Sequence, residues 1–266
     1  MIKRTTGTKE FGTGVVLSGG GARGYAHLGV LKAMNEAGMS PEIISGTSAG
    51  AIAGVLYADG YTPAQILKIL GKNSRLDFLK LTVPKDGLLK MSGMIRLLRE
   101  ALRAKTFEEL KIPLVVTATN LNLGRIEYFS SGELLWPVVA SASIPVIFTP
   151  VEMNGYKYVD GGVMDNMPVA PIEKKCRMII GSYVNEIGES NNFGSLMGIA
   201  ERSFHLSIIK DLSVKKKKFD IFINPPGLNE FHAFDQAKAA DIYRSGYQAA
   251  KKALHDYRQL KEGLAV

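Results

Sequence analysis

The chain has 266 residues, of which 46% are hydrophobic and 22% charged, and this composition disfavours both a disordered chain and an integral membrane protein. The 33 basic and 25 acidic side chains give a formal charge of +8, which favours anionic partners without distinguishing nucleic acid from an acidic lipid surface. The single cysteine, Cys176, excludes an intramolecular disulfide and a structural zinc site built from cysteines.

Short apolar segments alternate with longer helical patterns along the chain, mostly in the order strand then helix. The predicted strands are 15–17, 43–44, 114–118, 126–129, 156–159, 178–183 and 221–223. The predicted helices are 25–37, 49–58, one that begins at Pro63, 134–142 and 235–260. This alternation predicts one α/β domain in which helices flank a parallel sheet.

The first glycine-rich turn, Ser18 to Gly24, lies between a predicted strand and a predicted helix. Consecutive glycines leave backbone N–H groups uncovered, and the following helix adds its dipole, so the turn suits a phosphate or a transient oxyanion. Gly19 to Gly24 also fits the dinucleotide pattern G-x-G-x-x-G, which requires an acid at the end of the next strand. Glu42 precedes that strand instead, which disfavours nucleotide binding.

The second turn, Gly46 to Gly50, matches the nucleophile elbow G-x-S-x-G between a strand and a helix. Such a tight turn needs positions without side chains two residues before and after the serine. The alternative is that Ser48 only caps the helix that follows.

The third turn is Asp160 to Gly162, where a predicted strand ends in an acid and two glycines. An Asp-Gly pair alone is usually only a turn. Beside an elbow serine and a loop rich in free N–H groups, Asp160 would supply a base.

These three turns, in this order, resemble those of the patatin-like phospholipases, whose pattern is G-G-G-x-[RK]-G, G-x-S-x-G and D-G-[AG]. The surroundings of Asp160, at residues 140–151 and 166–168, are also similar to that family. The resemblance covers residues 15–174 and implies a three-layer sandwich around a mostly parallel sheet. We expect a cap-like basic insertion at about 72–110, and residues 175–266 to complete the same domain.

The resemblance implies a lipid acyl hydrolase of the phospholipase A or lysophospholipase type that uses a Ser-Asp dyad and needs no metal or organic cofactor. Arg23 would hold the glycine loop or meet substrate charge, unless it is an exposed arginine at the start of a helix. The implied site residues are Ser48 and Asp160 (catalytic), Gly19, Gly20 and Gly21 (oxyanion hole), and Arg23, Gly24, Gly46, Gly50, Gly161 and Gly162 (supporting).

Two alternatives remain open at this point. His205, His232 and His255 all follow Asp160, so chain order also permits a Ser-Asp-His triad in a general esterase or thioesterase. None of the four histidines lies in a recognised motif. The other alternative is a lipid- or nucleotide-binding module without turnover.

The basic insertion has two interpretations. Between Lys72 and Lys105 there are nine basic and three acidic residues. An apolar stripe formed by Met91, Met94, Ile95, Leu98 and Leu102 is flanked by Arg96, Arg99 and Arg103. This helix either covers the core with a solvated charged side or caps the serine, with arginines at anionic headgroups.

The expected partner is a lipid substrate at an anionic membrane surface, and not nucleic acid. The first residues, 1–12, are polar, so we do not expect them to be a signal peptide. The apolar stretch 134–151 contains three prolines and lacks the roughly 18 or more uninterrupted apolar residues of a membrane span. We therefore expect a cytoplasmic protein that contacts membranes peripherally.

Overall fold

The computed structural model describes residues 9–72, 91–189, 196–209, 212–231 and 236–263. The strands are β1 Phe11–Leu17, β2 Ile43–Gly46, β3 Leu114–Asn120, β4 Arg125–Phe129, β5 Val151–Met153, β6 Tyr156–Asp160, β7 Cys176–Ser182 and β8 Ile221–Ile223. The α-helices are α1 Tyr25–Glu36, α2 Ala49–Ala58, α3 Pro63–Lys72, α4 Ser92–Ala101, α5 Leu135–Ser141, α6 Ala170–Glu173, α7 Leu196–Ser207, α8 Leu212–Lys216 and α9 Ala239–Gly263. Within these described stretches, no helix combines the length and the apolar character that crossing a membrane requires.

All eight strands belong to one mixed sheet with the order β5-β6-β3-β2-β1-β7-β8, and β4 pairs with β3. Five neighbouring strands of this sheet are mutually parallel, namely β3, β2, β1, β7 and β8. The pairs β3–β4, β3–β6 and β5–β6 are antiparallel. The predicted α/β fold with a mostly parallel sheet is therefore confirmed.

Helices cover both faces of the sheet. Successive side chains of β1 point to opposite faces, so β1 packs against helices on both sides. Val15 and Leu17 pack in a cluster that includes Leu28 of α1, Leu56 of α2 and Leu254 of α9. Val16 packs in a second cluster with Ile172 of α6. The sheet is thus the middle layer between two apolar cores.

The basic insertion is described only from Met91 onward, and its segment 73–90 lies outside the described residues. Leu98 and Leu102 are buried, and Met91, Met94 and Ile95 pack against the same core, so the apolar stripe predicted from the sequence is the packed face of α4. Two of the flanking arginines lie over aromatic rings, Arg99 at 5.6 Å from the centroid of Trp136 and Arg103 at 4.0 Å from that of Tyr61. These contacts correspond to a helix that covers the core.

Candidate active site

Ser48 lies on the sharp turn between β2 and α2. Its backbone has φ 54° and ψ −121°, a conformation that residues other than glycine rarely adopt. Its side chain makes no capping hydrogen bond to the helix. The backbone N–H of Ser48 donates to Ser141 Oγ at 2.9 Å. Ser48 therefore occupies the N-cap position of α2 without capping it through its side chain, and the turn has the strained form of a nucleophile elbow.

The two glycines that flank Ser48 are required by close backbone contacts. A Cβ on Gly46 would lie 2.7 Å from Gly50 O, and a Cβ on Gly50 would lie 2.6 Å from Ser18 O. Real Cβ atoms do not approach this closely, so the turn can exist only with glycine at both positions. This packing also brings the end of β1 and its glycine loop against the elbow.

The glycine loop after β1 lies directly against Ser48. A Cβ on Gly19 would stand 3.1 Å from Ser48 Cβ. The Gly19 N–H already donates to Asn166 Oδ1 at 3.0 Å. The N–H groups of Gly20 and Gly21 have no hydrogen-bond acceptor among the described residues, so they are the donors that the loop leaves free.

Arg23 is buried, with only 7% of its surface exposed. Its Nε donates to Phe231 O at 2.8 Å, which ties the loop to a segment near the C-terminal end of the fold. The alternative of an exposed arginine at the start of a helix is therefore wrong, because Arg23 is buried and bonded to a residue more than 200 positions later in the chain.

Asp160, the last residue of β6, is fully buried. Its N–H donates to Ser143 O at 2.9 Å, and its Oδ1 accepts the Gly162 N–H at 2.7 Å. Burial raises the pKa of this carboxyl to about 7, against smaller lowering effects of the Ser48 hydroxyl and the Gly162 N–H. The lowering effect of the Ser48 hydroxyl places it close to this carboxyl. Oδ2 is buried and has no hydrogen-bond partner among the described residues.

The C-terminal end of β6, which carries Asp160, lies next to the C-terminal end of β2, which precedes Ser48. β2 pairs with residues 114–116 of β3, and β6 pairs with residues 118–120. β4 pairs with β3 at 116–120 and so occupies the opposite edge, which places β2 and β6 on the same edge. Because β2 is parallel and β6 antiparallel to β3, both end beside Thr117. The second and third turns of the sequence therefore converge there.

The described histidines make no hydrogen bond to Asp160 or Ser48. His27 is fully buried between Ser182 Oγ and Ser18 O, each 2.8 Å from one of its ring nitrogens. His205 is buried on α7, and His255 is exposed on α9. Burial lowers the pKa of both His27 and His205 to about 4. His232 lies outside the described residues.

An apolar cluster borders the Asp160 turn. Its buried members, Ile144, Ile147 and Phe148, pack with Met91 and Phe204. The Ser143 hydroxyl, next to this cluster, contacts Met91 Sδ at 3.2 Å. Methionine and phenylalanine form a surface that adapts to flexible aliphatic groups.

A cavity of about 110 Å³ lies on the other side of this turn, between residues 162–167 and the ends of α7 and α8. It is smaller than a ligand pocket of about 300 to 1,000 Å³. Lys215, at its wall, is paired with Asp165 at 2.5 Å. The cavity therefore has room for a small group only.

Several residues of the site were not singled out from the sequence. Ser141, Thr117, Asn166 and Asn185 contact the three turns directly. Ser141 and Asn166 were noted only as part of the surroundings of Asp160. Asn185, just after β7, had no spacing or motif that could have identified it.

Comparison with known proteins gives a family match that includes all three glycine-rich turns. The family model described as Patatin-like phospholipase matches residues 15–172. Lysophospholipase NTE1 of Yarrowia lipolytica is 28% identical over 278 residues, which cover 92% of this chain and 20% of that protein. An uncharacterized NTE family protein of Mycobacterium bovis is 34% identical over 171 residues, or 64% of this chain and 48% of that protein. The chain thus spans between a fifth and about half of these relatives.

Among solved structures, VipD from Legionella pneumophila is similar in fold, with a TM-score of 0.55 at 16% identity. The superposition covers 93% of this chain and 67% of VipD. At this identity the likeness concerns the fold alone, and it extends over the sheet and the helices on both of its faces.

Proposed function

Because this chain belongs to the patatin-like phospholipase family, we propose that it is a lipid acyl hydrolase in which Ser48 and Asp160 form a catalytic dyad. The reaction is hydrolysis of a carboxylic ester through an acyl-enzyme. The dyad, the oxyanion hole and the substrate class are the parts of this proposal that the family match alone does not supply.

In the first half of the reaction, Ser48 Oγ attacks the ester carbonyl carbon while its proton passes to Asp160 Oδ2. The tetrahedral intermediate then collapses, the ester C–O bond breaks, and the leaving alcohol takes the proton from Asp160. In the second half, a water molecule attacks the acyl-enzyme and gives its proton to Asp160. The fatty acid leaves when the proton returns to Ser48 Oγ.

The observation that carries the proposal is the state of Asp160. A buried carboxylate normally has all its oxygens hydrogen-bonded. Here one oxygen is held by Gly162, while the other is buried without a partner among the residues described, and the Ser48 hydroxyl is close enough to the carboxyl to lower its pKa. Burial raises the pKa of Asp160 to about 7, which matches the basicity that a general base needs near neutral pH.

The glycine loop supports the electrostatic part of the mechanism. The free N–H groups of Gly20 and Gly21 are the proposed donors to the developing oxyanion, and the loss of one such donor typically lowers the rate by about 10²- to 10³-fold. Gly19, whose N–H is already bonded, brings the loop against Ser48.

A lysophospholipid is the substrate class we favour. The NTE1 relative carries the name lysophospholipase, and the cluster around Ile144 and Phe148 offers an apolar wall for one acyl chain beside the dyad. Basic side chains of residues 91–105 would meet the anionic surface in which such a lipid resides. A single-chain ester presented in a membrane or micelle is the expected substrate.

The test combines covalent labelling with product analysis. A fluorophosphonate probe should label the wild-type chain and release of fatty acid from 1-acyl lysophosphatidylcholine should accompany it, while Ser48→Ala should lose both. Ser40→Ala is the matched control, because Ser40 is an exposed serine whose hydroxyl donates to Asn35, away from the three glycine-flanked turns. A wild-type chain that is neither labelled nor active would indicate a binding module, and labelled Ser48→Ala would exclude Ser48 as the nucleophile.

A further inference from the structure

Two asparagines hold the peptide groups on either side of Gly19. Asn166 Oδ1 accepts the Gly19 N–H at 3.0 Å. Asn185 Nδ2 donates to Gly19 O, and the Ser18 hydroxyl donates to the same oxygen at 2.9 Å. The residue of the glycine loop that touches Ser48 is therefore fixed through both its N–H and its carbonyl.

The carbonyl of Gly19 and the N–H of Gly20 belong to the same peptide group. In a trans peptide the C=O and the N–H point in opposite directions within one plane. The described part of the chain contains no cis peptide bond. Whatever holds the Gly19 oxygen therefore also decides the direction of the Gly20 N–H, which is free of any acceptor among the described residues.

Asn185 is itself rigidly placed. It is fully buried just after β7, and the Tyr183 hydroxyl donates to its backbone oxygen at 2.9 Å. The neighbouring Val184 N–H donates to Ser18 Oγ at 3.1 Å, so the segment after β7 also orients the second donor to Gly19. This segment lies beyond the 15–172 stretch that the family model matches.

Val184 and Asn185 together leave no room for a side chain at Gly20, the next position of the loop. A Cβ on Gly20 would lie 2.5 Å from Val184 Cγ2 and 3.1 Å from Asn185 Oδ1. That Oδ1 is buried without a partner among the described residues. A buried amide with one end unpaired destabilises a fold by about 1 to 3 kcal/mol, so packing alone does not account for an asparagine at this position.

We propose that Asn185 is a positioning residue of the oxyanion hole, which aims the Gly20 N–H at the reacting carbonyl oxygen by holding the carbonyl of Gly19. This inference rests on the proposed function, because it requires an oxyanion at the Gly20 N–H. Asn185 acts through the peptide group and does not touch the substrate.

The main test is Asn185→Ala, which removes the donor to Gly19 O without adding a group that can ionise or donate in its place. We expect kcat to fall about 10- to 100-fold with KM changed less than about threefold, because a misaligned oxyanion donor weakens transition-state binding alone. The rate of fluorophosphonate labelling should fall in parallel. The apparent pKa of the acid limb should stay as in the wild type, because Asn185→Ala adds no charge near Asp160.

Asn120→Ala is the matched control for Asn185→Ala. Asn120 is an equally buried asparagine that bonds the Leu123 N–H at 3.0 Å and Glu127, away from the glycine loop. We expect Asn120→Ala to lower stability while leaving kcat within about threefold. If both alanine variants lose the same stability and the same activity, Asn185 has only a structural role.

Ser18→Ala keeps the proposal falsifiable if changes at Asn185 prevent folding. It removes the other donor to Gly19 O and should lower kcat about 3- to 10-fold, again without a matching rise in KM. A folded Asn185→Ala or Ser18→Ala variant with wild-type kcat, or a loss confined to KM, would overturn the proposal. An inactive and unlabelled wild-type chain would instead refute the proposed function, so the two failures are distinct.

Discussion

The hydroxyl oxygens of Thr47 and Thr117 lie 2.7 Å apart at the point where β2 and β6 meet. Thr47 Oγ1 also donates to Asp165 O at 2.9 Å, which uses its only proton, so Thr117 must be the donor in the pair. One hydrogen-bond chain therefore links the strand beside the nucleophile turn to the loop that follows Asp160. The two halves of the candidate dyad are joined through this chain as well as through the sheet.

Thr117→Val should weaken this link with little change in volume. Loss of one buried hydrogen bond is expected to lower the free energy of unfolding by about 1 kcal/mol, and the looser junction should also reduce kcat severalfold. Chemical denaturation and steady-state kinetics measure the two effects. The control is Thr13→Val in β1, whose hydroxyl makes no hydrogen bond with another described residue. Equal effects in both variants would show that the hydrogen bond between Thr117 and Thr47 contributes to neither stability nor activity.

The pH dependence of kcat/KM should follow the ionisation of Asp160. Burial raises the pKa of this carboxyl to about 7, and only the deprotonated form can accept the proton of Ser48. Activity should therefore rise about tenfold per pH unit well below 7 and level off above it. Neither His27 nor His205 can produce this limb, since burial lowers the pKa of each to about 4. A limb centred near pH 4 would contradict the assignment.

Asp160→Asn should stabilise the fold at alkaline pH. The folded-state pKa of Asp160 is above its unfolded value, so between about pH 4 and 7 the folded chain binds a proton that the unfolded chain has lost. Stability of the wild type falls with rising pH over that window, and each unit of pKa shift corresponds to about 1.4 kcal/mol. We expect a gain of a few kcal/mol for the variant above pH 7 that vanishes near pH 4. Denaturation at several pH values measures it, and a pH-independent difference would refute the cause.

Ser48→Gly and Ser48→Ala should both be inactive but differ in stability. Alanine must keep the backbone at φ 54°, whereas glycine adopts this conformation without steric strain. We expect the free energy of unfolding of the glycine variant to be about 1 kcal/mol higher than that of the alanine variant, after allowance for the greater flexibility of glycine in the unfolded chain. Thermal or chemical denaturation tests this. A more stable alanine variant would mean that the elbow is not strained.

Local patterns predicted the parts of the fold that depend on neighbouring residues. The helix expected at 49–58 corresponds to α2, and the strand expected at 221–223 corresponds to β8. The glycines around Ser48 could be interpreted because steric crowding at a tight turn follows from adjacent positions. Periodicity and turn composition are both local properties, so the sequence carries them directly.

Relations between distant segments were not predictable in the same way. Alternation of side chains in β6 is the same for either strand direction, so its antiparallel pairing with β3, which brings Asp160 to Thr117, could not be inferred. The burial of Arg23 depends on Phe231, far along the chain. Asn185 is a single polar residue without a pattern, and its contact with Gly19 appears only in three dimensions.

Replacement of the histidines separates the dyad from a Ser-Asp-His triad. His205 is buried on α7, and the positive charge of Arg23 adds to burial in lowering its pKa, which suits a neutral packing residue. We expect His205→Gln, His232→Ala and His255→Ala each to keep kcat/KM within about fivefold of the wild type. In a triad, removal of the histidine lowers the rate by several orders of magnitude. One folded histidine variant with a loss above about 10³-fold would therefore replace the dyad with a triad, because the base would then be an imidazole and Asp160 only its partner.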